Sequence, residues 1–110
     1  MRMSEPITTI PHYRVKAGCE DEFLAILDAH WPMLRDLELV TDREPQVFVG
    51  SEKDVEGTYV VEVFEWANAD ASARAHQHPA VSKVWESMGP LCEARGGRPP
   101  FEFPNFRRAR

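Results

Sequence analysis

The alternation of apolar and polar positions predicts four strands and two helical regions. Runs rich in β-branched and aromatic residues predict strands over residues 7–15, 46–51, 58–66 and 101–106. Apolar residues three or four positions apart predict a helix after the first strand and another after the third. The two apolar stripes consist of Phe23, Leu27, Trp31 and Leu34 in the first helix, and of Val81, Val84, Trp85, Met88 and Leu91 in the second. The predicted order is therefore βαββαβ, within one domain over residues 1–110.

Proline and capping residues predict where these elements bend or end. Pro11 predicts an edge position or a bulge in the first strand, and Pro104 places the last strand at an edge of the sheet. Pro32 predicts a kink or a second turn in the first helix, because proline removes a backbone donor. Asn68 predicts the N-cap of a short helix, and Pro79 starts the longer helix that follows.

The third predicted strand, residues 58–66, follows a polar turn over residues 52–57 and is apolar on both faces. One face carries Val60, Glu62, Phe64 and Trp66, and the other carries Tyr59, Val61, Val63 and Glu65. Such a strand lies inside a sheet and is covered on both sides. The βαββαβ order predicts a ferredoxin-like α+β sandwich, in which the helices cover only one face of the sheet. We therefore expect a homodimer, in which a second copy covers the open sheet face.

Composition and charge exclude several classes of partner. The formal net charge of -5 argues against nucleic acid or an anionic membrane, because both require a basic surface. No apolar run is long enough to span a bilayer, and the first ten residues lack the apolar core of a signal peptide. A cytoplasmic location is expected. Cys19 and Cys92 lie far apart without C-x-x-C spacing, which favours free thiols.

The histidines are the residues most suited to chemistry. His76 ends the short helix, where imidazole can bind or deprotonate a phenol because it titrates near neutral pH. The alternative is a structural residue that caps or bridges the helix break. His78 precedes Pro79 and suits an N-cap-like or surface position. No third ligand is spaced to complete a metal site with these two side chains.

One set of motifs carries a family resemblance over almost the whole chain. It consists of the turn Lys16-Ala17-Gly18 before an acidic helix start, the strand Val61-Glu62-Val63-Phe64-Glu65-Trp66, the dipeptide Ala75-His76, and the last strand from Phe101. In these features the chain resembles the antibiotic-biosynthesis-monooxygenase (ABM) group of the dimeric α/β-barrel superfamily. The resemblance implies a homodimer with two sheets packed face to face, and a cavity in each subunit between sheet and helices.

The resemblance also implies an activity. Known activities of the group are cofactor-independent oxidation of polycyclic phenols and quinols, and haem breakdown. The expected function is a cofactor-independent monooxygenase for a small aromatic metabolite, and the alternative is a non-catalytic dimeric domain for small-molecule binding or structure. No cofactor is expected. In the first case His76 is the base or hydrogen-bond partner, and the substrate-binding candidates are Trp66 and Trp85 as walls, His12 or Arg14 holding the anion, His78, and Glu62.

Glu62 has two interpretations. A buried glutamate with a raised pKa marks a functional site, whereas an ion pair with Arg14 would explain the same residue structurally. Two departures weigh against haem. The haem-degrading branch uses an asparagine on the first strand, which has none here, and a histidine within the long helix, at a position that falls near Trp85, which cannot bind iron. A further departure concerns ABM enzymes in general: they often carry a second histidine in a Ser-Pro-His-Phe-like segment, and the matching stretch His78-Pro79-Ala80-Val81 has no histidine at that place.

Overall fold

The computed structural model describes residues 5–110. Residues 1–4, which belong to the segment predicted to lack the apolar core of a signal peptide, lie outside the described part. The helices are α1 (Glu20–Asp36), α2 (Ala71–Gln77) and α3 (Pro79–Met88), with a 3-10 turn at Gly89–Leu91. The strands are β1 (Ile7–Thr9), β2 (His12–Val15), β3 (Gln46–Glu52), β4 (Val55–Trp66), β5 (Phe101–Glu102) and β6 (Asn105–Phe106). Among the described residues, no helix is both long enough and apolar enough to cross a membrane.

The strands form one antiparallel sheet with the topology of a ferredoxin-like sandwich. Strand β4 pairs with β3 on one side and with both β1 and β2 on the other. Strands β5 and β6 pair with β2 and β1 at the far edge. The strand order is thus last, first, third and second, and the predicted βαββαβ order is confirmed.

Prolines divide the first and last predicted strands into two pieces each. The first strand breaks at Ile10–Pro11 but lies inside the sheet, so the predicted edge position is wrong. The predicted bulge is wrong as well, because the pairing register with β4 is unshifted across the break: Thr9 pairs with Phe64, and His12 pairs with Val61. The last strand breaks at Phe103–Pro104 and does lie at the edge. The two breaks face each other, because the Ile10 amide donates to the Pro104 carbonyl at 3.0 Å.

The hairpin between β3 and β4 is tighter than the predicted turn over residues 52–57. Glu52 pairs with Val55, which leaves Lys53 and Asp54 as the turn, and Asp54 has a positive φ of 60°. The strands therefore extend further than the polar composition indicated. Gly57 has φ of 120° and lies under the Arg95 guanidinium, so a side chain there would clash as well as strain the backbone.

The helix boundaries confirm some of the capping predictions and correct others. Helix α1 continues through Pro32 without interruption, so no second helix starts there. Asn68 is not the N-cap of α2; that position is Asp70, and Asn68 instead accepts from the Asp70 amide in a local turn. His78 caps α3, because its Nδ1 atom accepts from the Ala80 amide at 3.2 Å.

The helices pack against one face of the sheet and enclose two apolar clusters. The first contains Trp31, Leu34, Leu39, Val40, Phe64, Trp66, Ala71, Ala75 and Val81. The second contains Tyr13, Val15, Phe23, Leu27, Val60, Met88, Leu91 and Cys92. Trp85 packs against both clusters. The side chains between the clusters are polar, and they define the site described below.

A buried arginine ties together the opposite, open face of the sheet. Arg14 is fully buried, and its guanidinium binds both carboxylate oxygens of Glu52, at 3.2 and 3.3 Å. It also donates to the Pro99 carbonyl at 2.8 Å and lies 3.5 Å from Glu102. These contacts join β2 to the β3–β4 hairpin and to the edge strand β5. Bidentate geometry of this kind is among the stronger forms of ion pair.

Replacing Arg14 with methionine should lower the free energy of unfolding by about 2 kcal/mol, since burial makes the lost pair costly while the partly exposed glutamates regain water. The matched control is Arg74→Met, which removes an exposed pair with Asp70 and should cost at most about 0.5 kcal/mol. Urea unfolding of the two variants measures the difference. Equal stabilities would show that the Arg14 network contributes nothing.

Candidate functional site

A small cavity lies between the sheet and the three helices. Its volume is about 30 Å³, which is space for roughly one water molecule. The residues around it are Thr9, Pro11, Tyr13, His30, Phe64, Trp66, Ser72, His76, Trp85, Phe103 and Asn105. Aromatic rings and imidazoles thus make up most of its wall. The cavity is a closed aromatic site with few polar groups, the usual composition of a small-molecule pocket.

The outer wall consists of side chains that reach solvent. His76 is exposed and packs edge-on against Trp85, with ring centroids 4.7 Å apart. On another side Phe103, which is 46% exposed, stacks on Trp85 with ring centroids 6.2 Å apart. Phe103 lies at the break between the two short edge strands. The inner wall is rigid by contrast, because Phe64 and Trp66 are buried on the long strand β4.

Three buried polar side chains line or support the inner end of the cavity. Glu62 accepts a hydrogen bond from the Tyr13 hydroxyl at 3.1 Å, and both residues are fully buried. The same carboxylate oxygen lies 3.8 Å from His30 Nδ1. On the other side of its ring, His30 Nε2 accepts from the Trp85 indole N–H at 2.9 Å. A continuous polar chain therefore runs from Tyr13 through Glu62 and His30 to Trp85.

This arrangement defines the proton positions on His30. The indole nitrogen of tryptophan is a donor only, so His30 Nε2 must be the acceptor. In the neutral ring the proton then lies on Nδ1, which faces the Glu62 carboxylate. Among residues 5–110, neither His30 Nδ1 nor Glu62 Oε2 has a partner within hydrogen-bond distance. Buried polar atoms without partners are rare, and they mark places where a structure serves a purpose other than stability.

Local structure explains why these residues converge. Alternation along β4 places Glu62 between Val60 and Phe64, on the face toward the helices. On α1, His30 follows Leu27 by three positions and so lies on the same buried stripe. Tyr13 stands beside Val60 in the paired register of β2 and β4. The sheet register and the helix period thus bring one carboxylate, one imidazole and one phenol together.

Burial controls the chemistry of Tyr13. Desolvation raises the pKa of its hydroxyl well above the ordinary value of 10.0, and the Glu62 charge and hydrogen bond raise it further. Tyr13 therefore remains a protonated donor across the physiological range.

Four of the seven residues predicted for the site lie at the helix-side cavity or directly behind it. His76, Trp66 and Trp85 line the cavity, and Glu62 lies directly behind His30. Alternation along β2 places His12 and Arg14 on the opposite, open face of the sheet, away from the cavity. There His12 Nδ1 is hydrogen-bonded to the Tyr59 hydroxyl.

Two sequence-based interpretations are therefore wrong in their geometry. Arg14 does not pair with Glu62, because the two lie on opposite faces of the sheet and Arg14 binds Glu52 and Glu102 instead. His12 and Arg14 cannot hold an anion in the same cavity as His76. His78 also lies outside the cavity wall, since it caps α3.

The central residue of the polar chain, His30, was given no role from sequence, although its place beside Trp31 on the first helix indicated that it could approach a cavity. The signal was present in the sequence, because His30 interrupts an otherwise apolar stripe at helical spacing. A histidine at such a position requires a polar partner, and Glu62 is the inward-facing acid of the predicted third strand. Only the register between helix and sheet, which the sequence does not give, identifies that pair.

A second concavity, much larger than the cavity, is a broad groove of about 990 Å³ on the opposite, open sheet face. Its wall mixes apolar and charged side chains, and it includes Thr8, Arg43, Gln46, Val63, Glu65 and Phe106. Unlike the small cavity, this groove contains no histidine or cysteine. It suits an interaction surface better than a catalytic centre.

Other forms of chemistry find little support in the described residues. Within residues 5–110 no cluster of three or more histidine, cysteine or acidic side chains is placed to hold a metal ion. Both cysteines are free, as predicted. Burial raises the pKa of the Cys92 thiol to about 11, which fits a small core residue better than a nucleophile.

Solved structures share this fold over nearly the full chain. SnoaB from Streptomyces nogalater, a cofactor-independent oxygenase, is 17% identical with a TM-score of 0.67, and the match covers 96% of this chain and 95% of that chain. Rv0793 from Mycobacterium tuberculosis is 15% identical with a TM-score of 0.68, covering 96% and 97%. A proposed antibiotic biosynthesis monooxygenase from Bordetella bronchiseptica is 15% identical with a TM-score of 0.66, covering 94% and 97%.

These similarities confirm the fold that the resemblance implied, an α+β sandwich of the kind found in ABM proteins. At such identities they show the fold and leave the activity open. No protein-family model and no curated protein matches the sequence.

The Tyr13→Phe variant tests the buried hydrogen bond. Its free energy of unfolding at neutral pH should be lower by about 2 kcal/mol, because a buried carboxylate loses its donor. In the wild type the Tyr13 hydroxyl keeps its proton in the folded state, while the unfolded chain releases it above about pH 10. Stability should therefore fall as pH rises through that region, and less steeply in Tyr13→Phe.

The measurement is urea unfolding of both proteins at several pH values between about 8 and 11. The second tyrosine, Tyr59, is common to both proteins and so cancels in the comparison. Parallel stability curves for wild type and variant would contradict the assigned role of Tyr13.

Proposed function

We propose that the protein binds a small electron-rich phenol or quinol in the helix-side cavity and catalyses its oxidation by molecular oxygen without a cofactor. The observation that carries the proposal is the aromatic cavity, in which Trp66 and Trp85 lie with two imidazoles, those of His30 and His76. The full-length structural similarity to a cofactor-independent oxygenase supports the same class of reaction.

The proposed reaction requires deprotonation and a dry cavity. A histidine accepts the phenolic proton, and the electron-rich anion then reduces oxygen directly. One oxygen atom replaces the two hydrogens of a ring methylene, such as that of an anthrone-type substrate, to give a carbonyl, and the other oxygen atom leaves with those two hydrogens as water. The protein contributes the base, the orientation of the ring and the exclusion of solvent. His76, at the mouth, is the proposed base or hydrogen-bond partner from sequence, and His30 is the second imidazole that reaches the cavity.

A second function is favoured by a specific observation. The cavity of about 30 Å³ is smaller than any aromatic ring, since side chains fill most of the interior. This would suit a non-catalytic dimeric domain that kept the fold for binding or structure. The first proposal therefore requires the outer wall of Trp85, His76 and Phe103 to move when a ligand enters.

Haem does not fit the residues present. At the position expected for its ligand, the Trp85 indole has no lone pair for iron and donates instead to His30. The cavity beside it is far smaller than a porphyrin. We therefore propose no haem-dependent reaction.

We also propose that two copies pair through their open sheet faces. Phe48 is 56% exposed and stands beside Val61 on that face. The adjoining groove carries both signs of charge: Arg43 binds Glu65 at 3.3 Å, and Arg107 and Glu44 also line it. An apolar face bordered by both charges is self-complementary under two-fold symmetry.

Oxygen uptake and product formation test the proposed reaction. An anthrone-type substrate, incubated with the protein and a metal chelator, should yield the corresponding quinone with one oxygen molecule consumed per product. Isotopically labelled oxygen should place one labelled atom in that quinone. His76→Ala should lower kcat/KM by at least about tenfold, because general acid–base and orienting groups contribute that much or more.

The melting temperature of His76→Ala should stay nearly unchanged, since the side chain is exposed. The matched control is His78→Asn, which keeps the cap of α3 and lies outside the cavity. Full turnover by His76→Ala would remove His76 from the site. No turnover by the wild type with any electron-rich phenol would favour the non-catalytic function.

Sedimentation tests the proposed dimer. The wild type should sediment as a dimer at micromolar concentration. Phe48→Glu should weaken association at least about thirtyfold, because losing a central apolar contact costs about 2 kcal/mol or more. The control Ala25→Glu adds the same charge at an exposed position of α1 and should remain dimeric. A wild type that is a stable monomer would contradict the proposal.

A further inference from the structure

The Trp85 indole occupies the one position on His30 through which that residue could act on a ligand. His30 is almost completely buried and lines the cavity. Its Nδ1 faces Glu62, so only the Nε2 lone pair can accept a proton from a molecule in the cavity. In the closed structure the Trp85 N–H donates to that lone pair at 2.9 Å. A ligand hydroxyl reaches His30 only by replacing the indole as donor.

The same indole also limits the space. Trp85 is a wall of the cavity, only half-buried, and it is held from outside by His76 and Phe103. Phe103 stands between two strands of two residues each, and His76 is on the exposed end of α2. Displacing Trp85 outward therefore frees the acceptor atom and enlarges the cavity in a single movement.

We propose that His30 is the proton acceptor for a phenolic hydroxyl group, and that Trp85 holds the acceptor position until the phenol displaces it. The phenolic O–H bond breaks, its proton bonds to Nε2, and the bond electrons remain on the phenolate oxygen. The resulting imidazolium lies 3.8 Å from the Glu62 carboxylate, which balances its charge. Glu62 is thus a positioning residue, and Tyr13 fixes Glu62 through its hydrogen bond.

This inference rests on the proposed function for its ligand class, phenols, but it concerns a proton transfer that needs no oxygen. It can therefore be tested in the absence of oxygen with 4-nitrophenol, whose phenolate absorbs visible light and whose neutral form does not. The titratable groups that face His30 or share its cavity are Glu62 on β4, Tyr13 on β2 and His76 on α2. Glu62 and His76 are replaced in the variants below, and Tyr13 is the same in all the proteins compared.

At a pH well below the pKa of free 4-nitrophenol, the wild type should bind it as the phenolate. His30→Gln should bind it in the neutral form, and Glu62→Gln should shift the pH midpoint of the bound phenol upward, because the imidazolium loses its counterion. Trp85→Phe should bind about tenfold more tightly, since the competing donor is gone. His78→Asn is the control and should behave as wild type.

Nitrogen NMR of the wild-type histidine rings makes the test independent of variants that fail to fold. Without ligand the His30 ring should be the neutral Nδ1–H form, and with 4-nitrophenol it should carry both protons while the Trp85 indole signal moves to that of a free N–H. A bound phenol that leaves both signals unchanged would overturn the inference. A wild type that does not bind 4-nitrophenol would also overturn the inference. The same holds for a phenolate signal that is lost in His76→Gln and retained in His30→Gln.

The two proposals fail separately. A His30-dependent phenolate signal without oxygen uptake would support the inference and contradict the oxidation. Oxygen uptake that is undiminished in His30→Gln would support the oxidation and assign the proton to another residue.

Discussion

The buried Glu62 carboxylate is the constraint on which the rest of the core depends. Strand β4 lies inside the sheet and places Glu62 on the face toward the helices. A buried charge without partners at this position would cost several kcal/mol. The Tyr13 hydroxyl donates one hydrogen bond to the carboxylate, and the His30 ring lies 3.8 Å away on the other side. Because polar groups must stay together, the apolar residues divide into one cluster on each side of them. The cavity lies at this division, and Trp85 bridges the two clusters.

Strand alternation lets one pair of strands serve two separate surfaces. On β2, Tyr13 faces the helices, while its neighbours His12 and Arg14 face the open side. On β4, Glu62 and Tyr59 divide in the same way. The cavity and the open face can thus change independently, because Tyr59 does not line the cavity. The Arg14 network joins the hairpin and the edge strand to the centre of the sheet on the open face.

Sequence patterns could predict the order of the elements because period and turn chemistry are local. The proline breaks in the first and last strands and the His78 cap follow from the same local rules. Contacts between residues that lie far apart in the sequence could not be predicted from such local patterns. Arg14 and Glu62 suggested an ion pair by charge alone, but the register places them on opposite faces. His30 remained unassigned for a related reason: its importance depends on which strand residue lies beneath α1, and no local pattern encodes that.

The closed cavity limits any activity through a conformational equilibrium. If a phenol binds only after Trp85 moves, the apparent affinity falls by the fraction of molecules that are open. That fraction is set by the Trp85–His30 hydrogen bond and by the contacts of Trp85 with His76 and Phe103. The small volume of the closed form therefore sets the cost of entry, and it does not by itself decide between an enzyme and a structural domain. What decides is whether the outer wall opens, since the Nε2 atom of His30 is reached only when Trp85 moves away from it.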